Sequence, residues 1–436
     1  MLSKTISKLV KRDQQSIWHP YTQHKSQHTI RAITRGEGAY VFDENGTSYL
    51  DLISSWWVNL HGHGHPVIAQ AIYEQALKLE HIIFAGFTHE PAVCLAERLI
   101  RLLPGYFQRA FYSDNGSTAI EVALKLAYQA WRNKGEFRRV KFLCFEGCYH
   151  GDTFGSMALG KGMPFFKAFE DLFFEVIKLP YLATYRNDDS YALKESRYIS
   201  LIEEIVEKNH SELCAFVLEP MVQGASGMRM TRPSFLNKVM KLVKEKGIII
   251  IFDEVMTGFG RAGEMFAANY LSIHPDILCL AKGITGGFLP LAVTLTTEDI
   301  FQKFCSDDAS KTFFHGHSYT ANPLACAAAL ASLNLLELKE TQENIKSIST
   351  LQADFAAELT ELPGYHAARA LGTICAFEEI QDINSDTSIK LNSENFYKAG
   401  LLLRPLGNTL YLMPPYCIKP DDLKDAHGKI LTILKA

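Results

Sequence analysis

Between residues 109 and 297, six short apolar runs alternate with helical patterns, and this alternation limits the fold more than any other feature. The runs are RAFYS (109–113), VKFLCF (140–145), LCAFVLE (213–219), GIIIIFDE (247–254), ILCLAKG (277–283) and LAVTLTT (291–297). Most are apolar at consecutive positions, which requires a sheet covered on both faces. The helices between the strands supply that cover. The expected class is therefore α/β, with a mostly parallel sheet.

The flanks read differently. Residues 1–60 read as a mixed arm with a hairpin, because AYVFDENGTSYLDL sets two extended runs around the turn pair Asn45-Gly46. Amphipathic helices are expected over 66–80 and 91–102, and a loop then a helix over 186–210. ANPLACAAALASLNLLELKE (321–340) reads as one helix, and 370–436 as strands plus helix. The expected organisation is a large domain, 61–325, and a small α+β domain, 326–436, which the segment 1–60 joins.

Composition excludes several partners. The chain has 436 residues, 47% apolar, enough for a large core. A net charge of -4 offers no basic surface to a phosphate backbone, so nucleic acid is not an expected partner. No run approaches the ~20 apolar residues of a membrane helix. The start, MLSKTISKLVKRDQQ, is amphipathic and charged, without the apolar core of a signal peptide. Nine scattered cysteines form no CxxC pair, and Cys144 and Cys214 lie in apolar runs. Reduced, buried thiols in a cytoplasmic protein are expected.

In open α/β sheets, ligands bind beyond the carboxyl ends of the strands. After RAFYS come Gly116-Ser117-Thr118 and a helix; small residues opening a helix leave free N–H groups for a phosphate, although an ordinary N-cap looks the same. After GIIIIF comes Asp253, a carboxylate that needs a cationic partner at the end of so apolar a strand. A protonated pyridine nitrogen is one such partner, and a metal or a helix cap is another. After ILCLA comes Lys282 among glycines, which is either a surface lysine in a turn or an amine made nucleophilic by burial. The three occur in order. Together they match the three handles of pyridoxal 5'-phosphate (PLP): phosphate, ring nitrogen and aldehyde carbon.

Other motifs mislead. Gly258-Phe259-Gly260-Arg261-Ala262-Gly263 matches GxGxxG, but it does not lie directly between a strand and a helix as a dinucleotide site requires. His61, His63 and His65, like His315 and His317, lack further metal ligands at the usual spacing and read as loops, so no metal is expected. On the residues alone, Trp56-Trp57 reads as core, Tyr149-His150-Gly151-Asp152 as a capped turn and Arg404 as a surface arginine.

Five segments, in order along most of the chain, carry a resemblance: YHGDT (149–153), EPMVQGASG (219–227), IIFDEVMTGFGRAG (250–263), LAKGITGG (280–287) and HGHSYTANPLACAAAL (315–330). The chain resembles the class III aminotransferases, fold-type I PLP enzymes. The resemblance implies that Lys282 holds PLP as a Schiff base, meets the substrate and then moves the proton, that Asp253 pairs with the ring nitrogen, that Gly116 and Ser117 bind phosphate, and that Tyr149 stacks on the ring and faces the substrate. It also implies a homodimer in which His317 and Ser318 reach the phosphate from the neighbouring subunit, and Gly316 lines the substrate site.

WHPYTQ (18–23), DLISSWWVNLHGHGHP (51–66) and RPLGNTLYLMPPY (404–416) resemble a branch of this family that aminates 8-amino-7-oxononanoate in biotin synthesis. In that branch Tyr21, Trp56 and Arg404 would contact the substrate, Tyr21 taking part in catalysis. Aromatic walls suit a methylene chain, and an arginine suits its remote carboxylate. Gly316-His317-Ser318 stands where many members have Gly-Pro-Thr. The serine keeps a hydroxyl for the phosphate. The donor stays open between S-adenosylmethionine and lysine. Two rival readings also stay open: an ω-aminotransferase for ornithine, 4-aminobutyrate or a polyamine, and a PLP-binding protein without turnover.

Overall fold

The computed structural model describes residues 7–25, 30–103, 107–380 and 391–435. Residues 1–6 of the amphipathic start lie outside them.

The N-terminal hairpin forms around its turn pair. Strand β1 (Ile33–Glu37) pairs with β2 (Tyr40–Asp43), which pairs antiparallel with β3 (Ser48–Asp51). Gly46 stands at φ 80°, a conformation open to glycine at little cost.

Each of the six apolar runs becomes a strand: β4 (Arg109–Ser113), β5 (Lys141–Phe145), and, after β6 (Val176–Leu179), β7 (Leu213–Leu218). A two-residue pair, β8 (Val222–Gln223) and β9 (Arg229–Met230), follows. Then come β10 (Ile249–Asp253), β11 (Ile277–Leu280) and β12 (Ala292–Thr296). Seven of them form one sheet in the order β4-β12-β11-β10-β7-β5-β6. Only β12 runs against its neighbours; the other contacts are parallel. Every residue of β7 and of β10 is buried, which explains their unbroken apolar runs. The sequence reading missed β6, a four-residue edge strand with a lysine in it.

Helices fall close to expectation, at Pro66–Lys78, Glu90–Leu102 and Tyr191–Asn209. The expected helix over 321–340 is corrected: it runs Pro323–Leu336, and a second helix starts at Lys339. Leu338 takes extended backbone between them. Side chains of the second helix satisfy the end of the first, with Thr341 Oγ1 donating to Leu335 O and Gln342 Nε2 to Leu336 O, 2.7 Å each. Such caps let a helix stop where its own carbonyls lose their partners.

Beyond the break, β13 (Tyr365–Leu371), β14 (Ile374–Glu379) and β16 (Thr409–Leu412) form an antiparallel sheet. The short β15 (Leu401–Leu402) instead lies parallel to β3, so strands from both ends of the chain share a sheet. All nine cysteines are free. Among the described residues, no helix is long and apolar enough to cross a membrane.

Candidate active site

The carboxyl ends of β4, β5, β7, β10 and β11 lie along one edge of the large sheet, and the loops that leave them enclose a cavity of about 410 Å³. Gly116, Ser117, Tyr149, Glu219, Asp253 and Lys282 line it. Asp253 is the last residue of β10 and nearly buried. Its Oδ1 accepts the N–H of Val255 at 3.0 Å, and its Oδ2 stands 2.6 Å from Nδ1 of buried His150. Burial opposes charge on His150, whereas Cys148 and the Asp253 carboxylate favour it; together these two win, and the imidazole pKa is raised. The carboxylate is thus held in place from behind by the His150 ring.

The helix Gly116–Lys134 begins at the next strand end. Asn115 caps it with a reciprocal pair: its side chain accepts from Thr118 N at 3.0 Å, and Thr118 Oγ1 accepts from Asn115 N at 3.2 Å. The N–H groups of Gly116 and Ser117 are not used by this cap, and the positive helix end lies there. A Cβ on Gly116 would stand 2.5 Å from Val255 Cγ1, so a glycine is what lets the helix start this close to the exit of β10. Ser117 Oγ accepts from Thr153 N at 2.9 Å and meets Thr153 Oγ1 at 2.7 Å. Thr153 Oγ1 in turn donates to Glu121 at 2.6 Å. With the Thr153 proton on Glu121, Ser117 Oγ is the donor to Thr153 Oγ1, so a phosphate oxygen would take the Ser117 proton in exchange for that bond.

Lys282 leaves β11 with φ 47° and opens a single turn, Lys282–Thr285, closed by Gly286 and Gly287. Burial pushes its pKa down to about 8, with Asp253 and Glu219 pulling the other way and Arg261 adding to the fall. At neutral pH a fraction of the amine is unprotonated and nucleophilic. Glu219, at the end of β7, accepts from Tyr149 N at 3.1 Å and Gly224 N at 2.8 Å. Burial, with the charge of Asp253 alongside, raises its pKa to about 7.

The mouth of the cavity is built from distant pieces of chain. Tyr21 OH donates to Asp152 Oδ2 at 2.5 Å, Tyr149 OH donates to Asp152 Oδ1 at 3.1 Å, and the Tyr21 ring lies edge-on to Trp56 at 5.7 Å. Burial and the Asp152 contact push the Tyr21 phenol up to about 12. The Arg404 guanidinium covers the Trp56 ring at 4.8 Å. Ser54, Ser55, Trp56 and Trp57 all stand at positive φ, between 45° and 76°, in one left-handed turn. Such backbone costs roughly 1–2 kcal/mol per non-glycine residue. The surroundings hold it: Ser54 Oγ donates to Met413 O at 2.7 Å, and Ser55 Oγ to Asp51 Oδ2 at 2.8 Å. His63, one of the clustered histidines, braces the same Asp51 carboxylate at 2.9 Å. The turn sends Trp56 outward and Trp57 inward.

Gly116, Ser117, Tyr149, Asp253 and Lys282 thus share one cavity, with Tyr21, Trp56 and Arg404 at its mouth. Gly316, His317 and Ser318 do not line it. His150, Asp152, Thr153 and Glu219 received no role from the sequence. Glu219 carried the cue that singled out Asp253, a carboxylate at the end of an apolar strand. Trp57 was read as core and is also a wall of the cavity.

The sequence pattern of the class-III aminotransferases matches residues 21–434, and the chain belongs to that family. It is an enzyme of the PLP-dependent aminotransferase type, with the fold of its class. Adenosylmethionine-8-amino-7-oxononanoate aminotransferase of Synechococcus elongatus is 45% identical over 96% of this chain and 98% of its own length. The Helicobacter pylori enzyme of the same name is 39% identical over 97% and 96%. The crystal structure of the Methanocaldococcus jannaschii protein of that name superposes with a TM-score of 0.91 at 35% identity, covering 98% of each chain. An amine transaminase from an uncultivated Pseudomonas species, solved with PLP bound, gives 0.88 at 30% identity over 97% and 98%. The residues on the cavity wall suit PLP: a helix start cleared by Gly116, a braced carboxylate and a lysine of lowered pKa have the chemistry that its phosphate, ring nitrogen and aldehyde call for.

Proposed function

We propose that this aminotransferase converts 8-amino-7-oxononanoate to 7,8-diaminononanoate for biotin synthesis, in the cytoplasm, with S-adenosylmethionine as donor. The observation that carries the reading is the mouth of the cavity. Arg404 stacked on Trp56, with Tyr21 against the same ring, offers a carboxylate anchor beside an aromatic wall, above the buried amine of Lys282. A keto-amine with a methylene chain and a terminal carboxylate matches that order of groups. The names carried by the relatives support the same reading.

PLP supplies an aldehyde that condenses with amines and a cationic ring that takes up electron density from the bond being broken. The chain does the rest. Gly116 N–H, Ser117 N–H and Ser117 Oγ hold the phosphate. Asp253, braced by His150, would pair with the ring nitrogen and favour a proton there. Tyr149 walls the ring. Lys282 would hold the aldehyde carbon, and with its Nζ free it would carry the proton between the donor carbon and the cofactor side. Tyr21 and Asp152 fix the substrate end of the cavity.

We further propose a homodimer. His317 and Ser318 lie away from their own chain's cavity, and a second subunit would bring them to the phosphate and Gly316 to the substrate. The units proposed for the chain are 1–60 with 326–436, and 61–325. The helix Pro323–Leu336 packs on the helices Pro66–Lys78 and Glu90–Leu102, which favours a seam nearer its C-terminal end.

Purified protein given 8-amino-7-oxononanoate with either S-adenosylmethionine or lysine, and product followed by mass spectrometry, tests the reading. 7,8-Diaminononanoate is expected with S-adenosylmethionine. Product with lysine alone moves the donor, and no product with either sinks the acceptor.

A further inference from the structure

The Lys282 amine stands 4.4 Å from the centre of the Trp57 ring. Several features fix the ring there. Trp57 is 4% exposed, and its indole N–H donates to Tyr411 OH at 3.0 Å, which sets the ring plane. A Cβ on Gly224 would come within 3.2 Å of the ring, so the glycine makes room for it. Arg261 Nη2 holds the Trp57 carbonyl, and the left-handed turn delivers the side chain inward. A buried indole N–H commonly finds a partner in any core; what packing alone does not require is that the flat face meet an amine. The groups that act on Lys282 electrostatically are Asp253 and Glu219, which attract its charge, and Arg261, which repels it; His150 lies behind Asp253.

We propose that Trp57 is a positioning residue for Lys282, its indole face holding the amine, and the proton it carries, whenever Lys282 is not bonded to the cofactor. The inference rests on Lys282 being the amine that binds PLP. The physical case is one of graded attraction. Burial removes water from an ammonium and favours its loss of the proton. A carboxylate in direct contact would hold the proton too tightly to return it. An aromatic face attracts a cation more weakly and has no basic atom to take the proton. It therefore keeps the amine in place and leaves the proton free to move to carbon.

The test uses the full-length chain freed of cofactor, with PLP as the probe. Capture condenses the Lys282 amine with the aldehyde and releases water, and its rate against pH, read by absorbance, reports the pH at which the amine loses its proton. Trp57→Leu is expected to lower that midpoint by about half to one pH unit, roughly three- to tenfold in proton affinity, with Trp57→Phe between. Mono- and difluorotryptophan placed at position 57 keep the shape of the ring and weaken its face. They should lower the midpoint stepwise. Equal midpoints across the fluorinated series overturn the proposal, even where the leucine variant fails to fold. Capture that persists undiminished in Lys282→Ala instead removes the reading of Lys282 beneath it.

Discussion

The floor of the cavity and its mouth are made by opposite means. The floor comes from the ends of neighbouring strands in one sheet, and Asp253, His150 and Glu219 are buried there in contact with further side chains or backbone. The mouth comes from the N-terminal arm, a left-handed turn and a loop beyond residue 402. Tyr21, Trp56 and Arg404 remain open to solvent there. Electrostatic work on a cofactor requires fixed groups in a dry place, which a sheet provides. Selection of a long substrate requires reach, which loops provide. Chemistry common to a family therefore belongs to the floor, and the choice of substrate to the mouth.

Substitutions at four positions bear on that division. The largest effect is expected from Lys282→Ala at the floor: loss of about a thousandfold or more in kcat, read by single-turnover kinetics, with overall fold kept. A variant with native turnover would end the assignment of floor chemistry.

Next is the cost of burying acids beneath the floor. Glu254 is buried, accepting from Ala267 N at 2.8 Å, Ala268 N at 2.7 Å and Thr257 Oγ1 at 3.1 Å. Burial raises its pKa from 4.5 to about 7 despite these donors. A folded pKa above the unfolded one means stability that is present below pH 4.5 and lost as pH rises through 7. Relative to Glu254→Gln, the native chain should lose up to roughly 3 kcal/mol over that window, and no more above it. Denaturant midpoints that track each other across the window would show that Glu254 does not titrate there.

At the mouth, Arg404→Ala should raise KM for 8-amino-7-oxononanoate about ten- to hundredfold and leave kcat much less changed. Steady-state kinetics decide this, and an equal fall in kcat would blur the line between mouth and floor. The smallest effect is structural. Ser55→Gly relieves backbone at φ 45°, whereas Ser55→Ala keeps it, and both lose the bond to Asp51. The glycine variant should be more stable than the alanine one by about 0.5–1 kcal/mol in thermal or chemical melts. The reverse order would mean that the turn is not strained.

The floor was largely legible in the sequence. Gly116, Asp253 and Lys282 each follow an apolar strand, and the family motifs lie on the same loops. Glu219 showed the same cue and was passed over. His150 was not legible, because its role depends on a contact with Asp253 that lies 103 positions away in sequence. The mouth was legible only through resemblance. Nothing local in LLLRPLG ties Arg404 to Trp56, and no residue pattern in SSWW announces four left-handed residues. Even the helix break at Leu336 needed side chains from the following helix to satisfy the last carbonyls.

The sequence by itself determined the alternation of strands and helices, the burial of the sheet on both faces, and the order of the strand-end residues Gly116, Asp253 and Lys282 that line the cavity. Hydrophobic runs and strand-end chemistry are local, and a linear reading recovers them. Tertiary structure alone decided which remote side chains meet. It set His150 behind Asp253, turned one tryptophan of an adjacent pair toward solvent and the other onto Lys282, and closed Tyr21, Trp56 and Arg404 into one mouth. Those contacts depend on how the N-terminal arm and C-terminal strands fold back over the sheet, and a backbone as costly as the Ser54–Trp57 turn persists only where surrounding bonds hold it.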